Sequence, residues 1–330
     1  MAGVAIGYYD FFPVENAENK DDWGRVPTWG TCTVVQSKCD FVPVGQRVYG
    51  LIPLSRYLIA TPKRSKDSFS WIDSAPHRQK RDVVYNTYID LAKDALYPGP
   101  QLEEAMILIR PLFLTAWLLR QAVIDLKPDV LMITSASSKT GAALGGLMRL
   151  QRDRKAEQSP RIIGLTSSGN ISYTQSLGYY DEVLEYKHAN ASGNRLVIVD
   201  LAGNLPVLRE IQRNLKDRLL KILSVGMTHV ADSDMAATFS GEGFDPNYAK
   251  PEFFFAPKYA AAVAKRDPKA LTETAARDWL EFIPKFPLDV KRCDTVQEVE
   301  KVVKDFIHGR VPGSVSWVGS LKPAPGHGKL

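Results

Sequence analysis

The chain has 330 residues, too long for one ordinary hydrophobic core and long enough for two domains. Its 45% hydrophobic and 24% charged content is that of an ordinary globular protein, which excludes a disordered or fibrous chain. The formal net charge of +5 is dispersed, so basic pairs such as Lys63-Arg64 and Arg152 with Arg154 read as solvated faces, and nucleic acid is not an expected partner.

Up to about residue 100 the chain is rich in Pro, Gly, Trp and Tyr, with short β-branched runs at Thr31–Val35, Arg47–Leu51 and Tyr57–Ala60. Pro43, Gly45, Gly50 and Pro53 interrupt these runs, which predicts a compact β domain with irregular turns. From Glu103 to Asp125 apolar residues recur at helical spacing, and Pro111 is expected to open or kink that helix. Apolar runs then alternate with helical segments. Asp129–Thr134 precedes a helix over Gly141–Arg152, and Arg161–Thr166 precedes a short helix ending at Leu177. Val183–Tyr186 follows as a strand, Arg195–Leu201 leads into a helix over Leu205–Asn214, and Lys221–Val225 is the next strand. Strands that are apolar throughout and alternate with helices predict a parallel sheet covered on both faces. After Phe253–Phe255 the spacing predicts two amphipathic helices, Asp267–Ile283 and Thr295–His308, then a strand-like tail over Val311–Leu321 and a frayed end.

The stretch ITSASSKTGAALGG, Ile133 to Gly146, lies where a buried strand hands over to a helix. A phosphate site there needs close backbone approach, free amides and the positive end of the following helix. Gly141 permits tight packing of the helix start. Ser135, Ser137, Ser138 and Thr140 offer hydroxyls, and Lys139 places a cation over the phosphates. The alternative is a serine-rich loop without a ligand. No GxxxxGK[ST] string is present, so a Walker-type loop is excluded. The next strand ends in Thr166-Ser167-Ser168-Gly169-Asn170, with no carboxylate to accept ribose hydroxyls. Its small donors tolerate a 2′-phosphate, which favours NADP(H) over NAD(H). Serines are also common turn formers.

Four stretches carry a resemblance: VPTWGTCTVVQSKCDFVPVGQRVYG, PLFLTAWLL, IIGLTSSGNISYTQSLGYYDEVLEY, and VIVDLAGN with LSVGMTH. In that order they resemble the medium-chain dehydrogenase/reductase superfamily, its zinc-free quinone-oxidoreductase-like branch, and within it the DUF2855 family. The resemblance implies a GroES-like β-barrel catalytic domain joined to a Rossmann-type doubly wound parallel sheet domain, with the cofactor in the cleft between them. The expected boundaries are 1–106 for the β domain, 107–258 for the nucleotide-binding domain, and 259–330 for helices and a strand returning to the first. Gly203 and Gly226 follow the strands that flank the nicotinamide in that superfamily. Where zinc-dependent members carry Gly-His-Glu, this chain has Trp29-Gly30-Thr31-Cys32, so no metal is expected. The superfamily also has a β-hairpin ahead of the position taken by Gly7–Pro13; the first domain is expected to be truncated or shortened there, which would open the cleft.

The same resemblance implies reduction of an activated C=C bond, which requires an enolate-stabilising donor and a proton source. The candidate catalytic residues are Tyr9, Asp10, Asn86, Tyr88 and Arg110, with Tyr8, Thr115 and His77 nearby in sequence. Each has a plainer alternative. Tyr9, Phe11, Phe12 and Trp29 also suit a core, Asn86 a turn cap, His77 a loop, and Arg110 an ion pair with Glu104. No GxSxG elbow is present. The leading expectation is therefore a zinc-independent, NADP(H)-dependent enoyl or quinone reductase acting on a hydrophobic small molecule. The alternatives are a non-redox reaction through an enolate (lyase, dehydratase, cyclase or C–C hydrolase) and a non-catalytic binding protein. Three cysteines without ligand spacing, no signal-peptide pattern and no uninterrupted apolar run of roughly 20 residues point to a cytoplasmic protein without a membrane partner. Relatives in the superfamily pair edge strands, so a homodimer is compatible with the resemblance.

Overall fold

The computed structural model describes residues 8–14, 23–154, 159–225 and 241–321. The chain divides into two compact units. Unit 1 holds the described residues up to Leu108 and those from Asp289 onward, and unit 2 is Ile109–Leu288.

Unit 1 is built on five strands, β1 (Pro27–Thr33), β2 (Arg47–Pro53), β3 (Pro62–Arg64), β4 (Ser70–Asp73) and β5 (Thr87–Asp90), in the order β1-β2-β5-β4-β3. Every neighbouring pair is antiparallel. Gly50 of β2 is there for space, because a Cβ would come within 2.7 Å of the Tyr88 ring. That ring stacks on Trp71 with centroids 4.4 Å apart and forms the centre of the sheet's core with Val42 and Val48. The expected strand at Tyr57–Ala60 does not form. Tyr57 and Ile59 are exposed, and pairing begins at Pro62, where Lys63 faces Ile72 across a hairpin.

Unit 2 holds six parallel strands: β6 (Val130–Thr134), β7 (Arg161–Thr166), β8 (Glu182–Glu185), β9 (Leu196–Asp200), β10 (Leu219–Ser224) and β11 (Pro251–Phe253). Their order, β11-β10-β9-β6-β7-β8, is the 3-2-1-4-5-6 order of a doubly wound Rossmann sheet counted from β6. β6 and β9 are buried at every residue, as expected of strands covered on both faces. The helices are α1 (Glu103–Leu126), α2 (Lys139–Asp153), α3 (Ile171–Ser176), α4 (Leu205–Leu215), α5 (Ala256–Arg266) and α6 (Ala275–Phe282).

Three expectations change here. Pro111 lies inside α1 and does not open it, since the helix starts at Glu103. The helical stretch Pro100–Leu126 is also long and apolar enough to cross a membrane, by length and composition only, although no uninterrupted apolar run is legible in it. Within unit 2 its residues Ile109, Phe113, Trp117 and Leu119 are buried. Finally, the boundary expected at 258/259 falls at 288/289. The intervening α6 joins unit 2 through Trp279, edge-on to Phe113 at 4.9 Å, and through Asp278, which binds Arg120 at 2.5 Å and Trp117 Nε1 at 3.0 Å. The expected helix Asp267–Ile283 is instead a π-turn at Ala270–Thr274 followed by α6.

The chain then returns to unit 1. β12 (Asp289–Cys293) and β13 (Val315–Gly319) pair in parallel around α7 (Val296–Ile307), whose N-terminus carries a Thr295/Glu298 capping box. Cys293, Val299 and Val302 form its core with Leu54 and Trp317 packed against it.

Candidate functional site

β6 and β9 lie side by side, and the chain leaving β6 goes on to β7 while the chain leaving β9 goes to β10 on the opposite side. That divergence is the topological switch point, and ligands of such sheets bind at the carboxyl ends of the strands beside it. Here those ends are Thr134 and Asp200.

After Thr134 the chain turns at Ser135 with φ +49°, a left-handed conformation usually left to glycine. Ser138 then caps α2. Its amide donates to the Ser135 carbonyl at 2.8 Å, and its hydroxyl accepts from Gly141 N at 3.1 Å. A Cβ on Gly141 would stand 2.8 Å from the Ser135 oxygen and 3.1 Å from Ala136 Cα, so the helix start is pressed against the turn. In the spacing of the G-x-G-x-x-G fingerprint, Ala136, Ser138 and Gly141 take the glycine places. Only the third, which serves close helix–strand packing, is kept as glycine. The 15-residue α2 still aims its N-terminal dipole at this corner. Half-buried Lys139 starts the helix, and burial pushes its ammonium below the usual lysine range. Thr140 beside it is half-buried too.

The walls of this corner come from neighbouring strands. Buried Thr166 donates its hydroxyl to Ser137 Oγ at 3.2 Å, while Ser167 and Ser168 are exposed and Asn170 closes the turn on Ser167 Oγ at 3.0 Å. Tyr186 accepts from Ser135 N at 2.9 Å, and Tyr180 donates to the Ala136 carbonyl at 2.7 Å. On the β9 side, fully buried Asp200 accepts from Thr134 Oγ1 at 2.6 Å and from the amides of Ala202 and Gly203 at 3.2 Å. Burial pushes this carboxyl above the usual range, and the three donors only partly offset it. Thr134, Tyr186 and Asp200 are not among the expected site residues; the signal available for Asp200 was a carboxylate ending an otherwise apolar strand.

The structure thus brings Ser135, Ser137, Ser138, Lys139, Thr140, Gly141 and Thr166 to one corner and places Gly203 across Asp200 from it. The Gly203 amide is held by Asp200, and Gly141 N is held by Ser138, so neither points to a ligand. Gly226 lies outside the described residues.

The candidate catalytic residues belong to both units. Arg110 is buried in α1 within unit 2, whereas the other four belong to unit 1. Half-buried Tyr9 packs its ring against Gly24, and exposed Asp10 pairs with Arg81. Asn86 and Tyr88 are structural. Arg78, fully buried, donates Nε to Asn86 Oδ1 at 2.9 Å, Nη1 to Tyr88 Oη at 2.9 Å and Asp73 at 3.1 Å, and Nη2 to the Tyr85 carbonyl at 2.6 Å. Asn86 returns its amide to the Arg78 carbonyl, and Tyr88 donates to the Leu51 carbonyl at 2.7 Å. Their polar atoms are consumed in holding a buried guanidinium, as burial of a charge demands.

A different pair stands out. The Tyr8 and Tyr85 hydroxyls are 3.1 Å apart, and Tyr85 packs on Phe11 and on Trp29, which stacks on Tyr49. Burial, then the bond to Tyr8, pushes the Tyr85 phenol well above its usual value, so it stays protonated. Burial also raises Cys32 to about 11, which keeps its thiol neutral.

The sequence family described as "Protein of unknown function (DUF2855)" matches residues 1–312. Among solved structures, a protein assigned as an NADPH:quinone reductase from Mesorhizobium loti aligns with a TM-score of 0.52 and 13% identity, covering 89% of this chain and 78% of that one. A second protein so assigned, from Bacillus thuringiensis, gives 0.48 and 14%, over 87% and 78%. The yhdH oxidoreductase from Salmonella enterica in complex with NADP gives 0.45 and 12%, over 88% and 80%. No curated protein sequence matches.

Proposed function

Because the chain belongs to the DUF2855 family and shares the two-part fold of the quinone-reductase-like proteins, we propose that it is an NADP(H)-dependent oxidoreductase of the medium-chain dehydrogenase/reductase type. The observation that carries this reading is the corner at Ser135–Gly141: a helix N-terminus at the switch point, seated by Gly141 and opened by half-buried Lys139. The residues fit a diphosphate. Lys139 and the start of α2 would hold it, while Ser167, Ser168 and Asn170, with no carboxylate among them, would meet a 2′-phosphate.

The nicotinamide, when bound, supplies the hydride for an α,β-unsaturated carbonyl or quinone-like acceptor. The chain's own part is to hold a proton ready. Within unit 1, the Tyr85 hydroxyl, which burial keeps protonated and which meets the Tyr8 hydroxyl at 3.1 Å, has the chemistry of a proton donor, in place of Asn86 and Tyr88, whose polar atoms hold Arg78. The aromatic wall of Phe11, Trp29 and Tyr49 suits a hydrophobic substrate.

Adding NADPH to the purified protein tests this directly. A ligand that binds only the folded state stabilises it by about 2.7 kcal/mol at 100 times its Kd, so the melting temperature should rise, more with NADPH than with NADH. Lys139→Ala should weaken the response. No rise at millimolar NADPH would end the proposal. One observation favours a second reading, a non-redox reaction on the same scaffold. The amides of Ser135, Gly141, Ala202 and Gly203 are all held by internal partners rather than left for a cofactor. Turnover without added or bound nicotinamide would establish it.

A further inference from the structure

In unit 1 the N-terminal turn Tyr8–Phe11 packs on the segment around Tyr85. The Tyr8 and Tyr85 hydroxyl oxygens are 3.1 Å apart, although 77 residues separate the two in the chain. Their rings meet edge to face, with centroids 5.6 Å apart and planes inclined by 71°. Both side chains are half-buried, so packing holds them without sealing them from small reagents. Among the described residues they are the one pair of tyrosines joined by a hydrogen bond.

A phenol that meets a radical gives up one electron together with its hydroxyl proton. The unpaired electron then spreads to the ring carbons ortho to the oxygen. Two such phenoxyls couple at those carbons into a 2,2′-biphenol, whose oxygens flank the new bond and whose rings are twisted against each other. Adjacent oxygens and steeply inclined rings are the geometry from which that product forms with little movement. The stacked pair of Trp29 and Tyr49, inclined by only 16°, presents faces instead of edges. Those two rings stand behind the tyrosine pair. Trp29 is 6.2 Å from Tyr85 and 5.6 Å from Tyr49, so an electron vacancy formed on either can be filled from Tyr85.

We propose that Tyr8 and Tyr85 are an oxidative cross-linking site, at which peroxyl-type radicals join the two rings into one dityrosine within the chain. Two radicals are consumed. Each takes one electron and one proton from a phenol and becomes a hydroperoxide. The two phenoxyls form one carbon–carbon bond ortho to their oxygens. The hydrogen on each joined carbon then moves to the adjoining oxygen, which restores both hydroxyls. The chain loses two hydrogen atoms and gains a covalent tie between the N-terminal turn and the segment before β5. Like a disulfide, that tie restricts the unfolded chain more than the folded one. The proposal uses only these side chains and is independent of the reductase reading.

The test exposes the full chain, in dilute solution, to peroxyl radicals from a water-soluble azo initiator in air. Dityrosine is read by its blue fluorescence and located by peptide mapping. The expected product is a single chain lighter by two hydrogen atoms, with the peptide carrying Tyr8 joined to the one carrying Tyr85. Tyr8→Phe and Tyr85→Phe should each abolish the joined peptide. Tyr57→Phe removes an exposed phenol and should leave its yield unchanged. In urea the yield should fall at least about tenfold, because the fold no longer holds the two rings together. Oxidation of the chain without the joined peptide would overturn the proposal. So would an equal yield from the unfolded chain, a result read on the parent protein that does not depend on how either variant folds.

Discussion

Replacing Gly141 by alanine tests the close approach on which the candidate site is built. The new Cβ would stand 2.8 Å from the Ser135 carbonyl oxygen, where ordinary contact begins at 3.4 Å, so α2 and the turn must separate by about 0.6 Å. The two nearest atoms in the way, the Ser135 oxygen and Ala136 Cα, are backbone and cannot swing aside. Overpacking of this kind costs about 1–3 kcal/mol. Alanine's better helix propensity returns about 1 kcal/mol at most. A net loss of up to about 2 kcal/mol corresponds, in a unit the size of unit 2, to a fall in melting temperature of up to about 8 °C. Gly169→Ala is the control. It sits in open space and should change stability by less than about 0.5 kcal/mol. Urea unfolding of both variants measures the difference, and the NADPH-induced rise should shrink in Gly141→Ala alone. Should Gly141→Ala be as stable as the parent and respond equally to NADPH, the helix is not seated on the turn as described, and the phosphate corner loses its basis.

Asp278→Asn should destabilise unit 2 by about 3–5 kcal/mol, because Arg120 is left buried without its counter-charge. Burial pushes the Asp278 carboxyl up, but Arg120, Arg154 and Trp117 more than offset it and hold it below the usual range. Its contribution is therefore complete above the unfolded-state value of about 3.9 and is lost as pH falls through the lower folded one. Denaturation curves of parent and variant should converge below about pH 4; a gap that stays constant there would count against the network. Tyr88→Phe strips the hydroxyl shared by Arg78 and the Leu51 carbonyl, and should cost about 1–3 kcal/mol of stability with no change in kcat. A large fall in kcat at unchanged stability would return Tyr88 to the catalytic residues.

The parallel sheet was legible because β6, β7, β9 and β10 are dominated by Val, Ile and Leu, a pattern that only a doubly covered sheet uses up. Strands β3, β4 and β5 were not, since PKR, SWID and TYID carry polar residues whose partners lie elsewhere in the chain. Helix α5, Ala- and Lys-rich with Val263 its one buried residue, has too narrow an apolar stripe to stand out. At the site, the turn and its serines were readable in sequence, but not the direction of their hydrogen bonds. Ser138 reads as a donor and acts as the acceptor for Gly141 N. Asn86 and Tyr88 have the side chains of a catalytic pair. Their role is set by Arg78, eight and ten residues away, which nothing in the local pattern marks as buried.

The Arg78 guanidinium has a consequence for how unit 1 comes apart. Around it meet the rings of Phe11 and Phe12, Asp73 at the end of β4, the Tyr85 carbonyl, Asn86, and through Tyr88 the edge of β2. None of these segments can leave without exposing a buried charge to partners it no longer has. The N-terminal turn and strands β2, β4 and β5 should therefore open as one cooperative unit, their slowest amides exchanging with a common free energy, although more than seventy residues separate Phe11 from Tyr88.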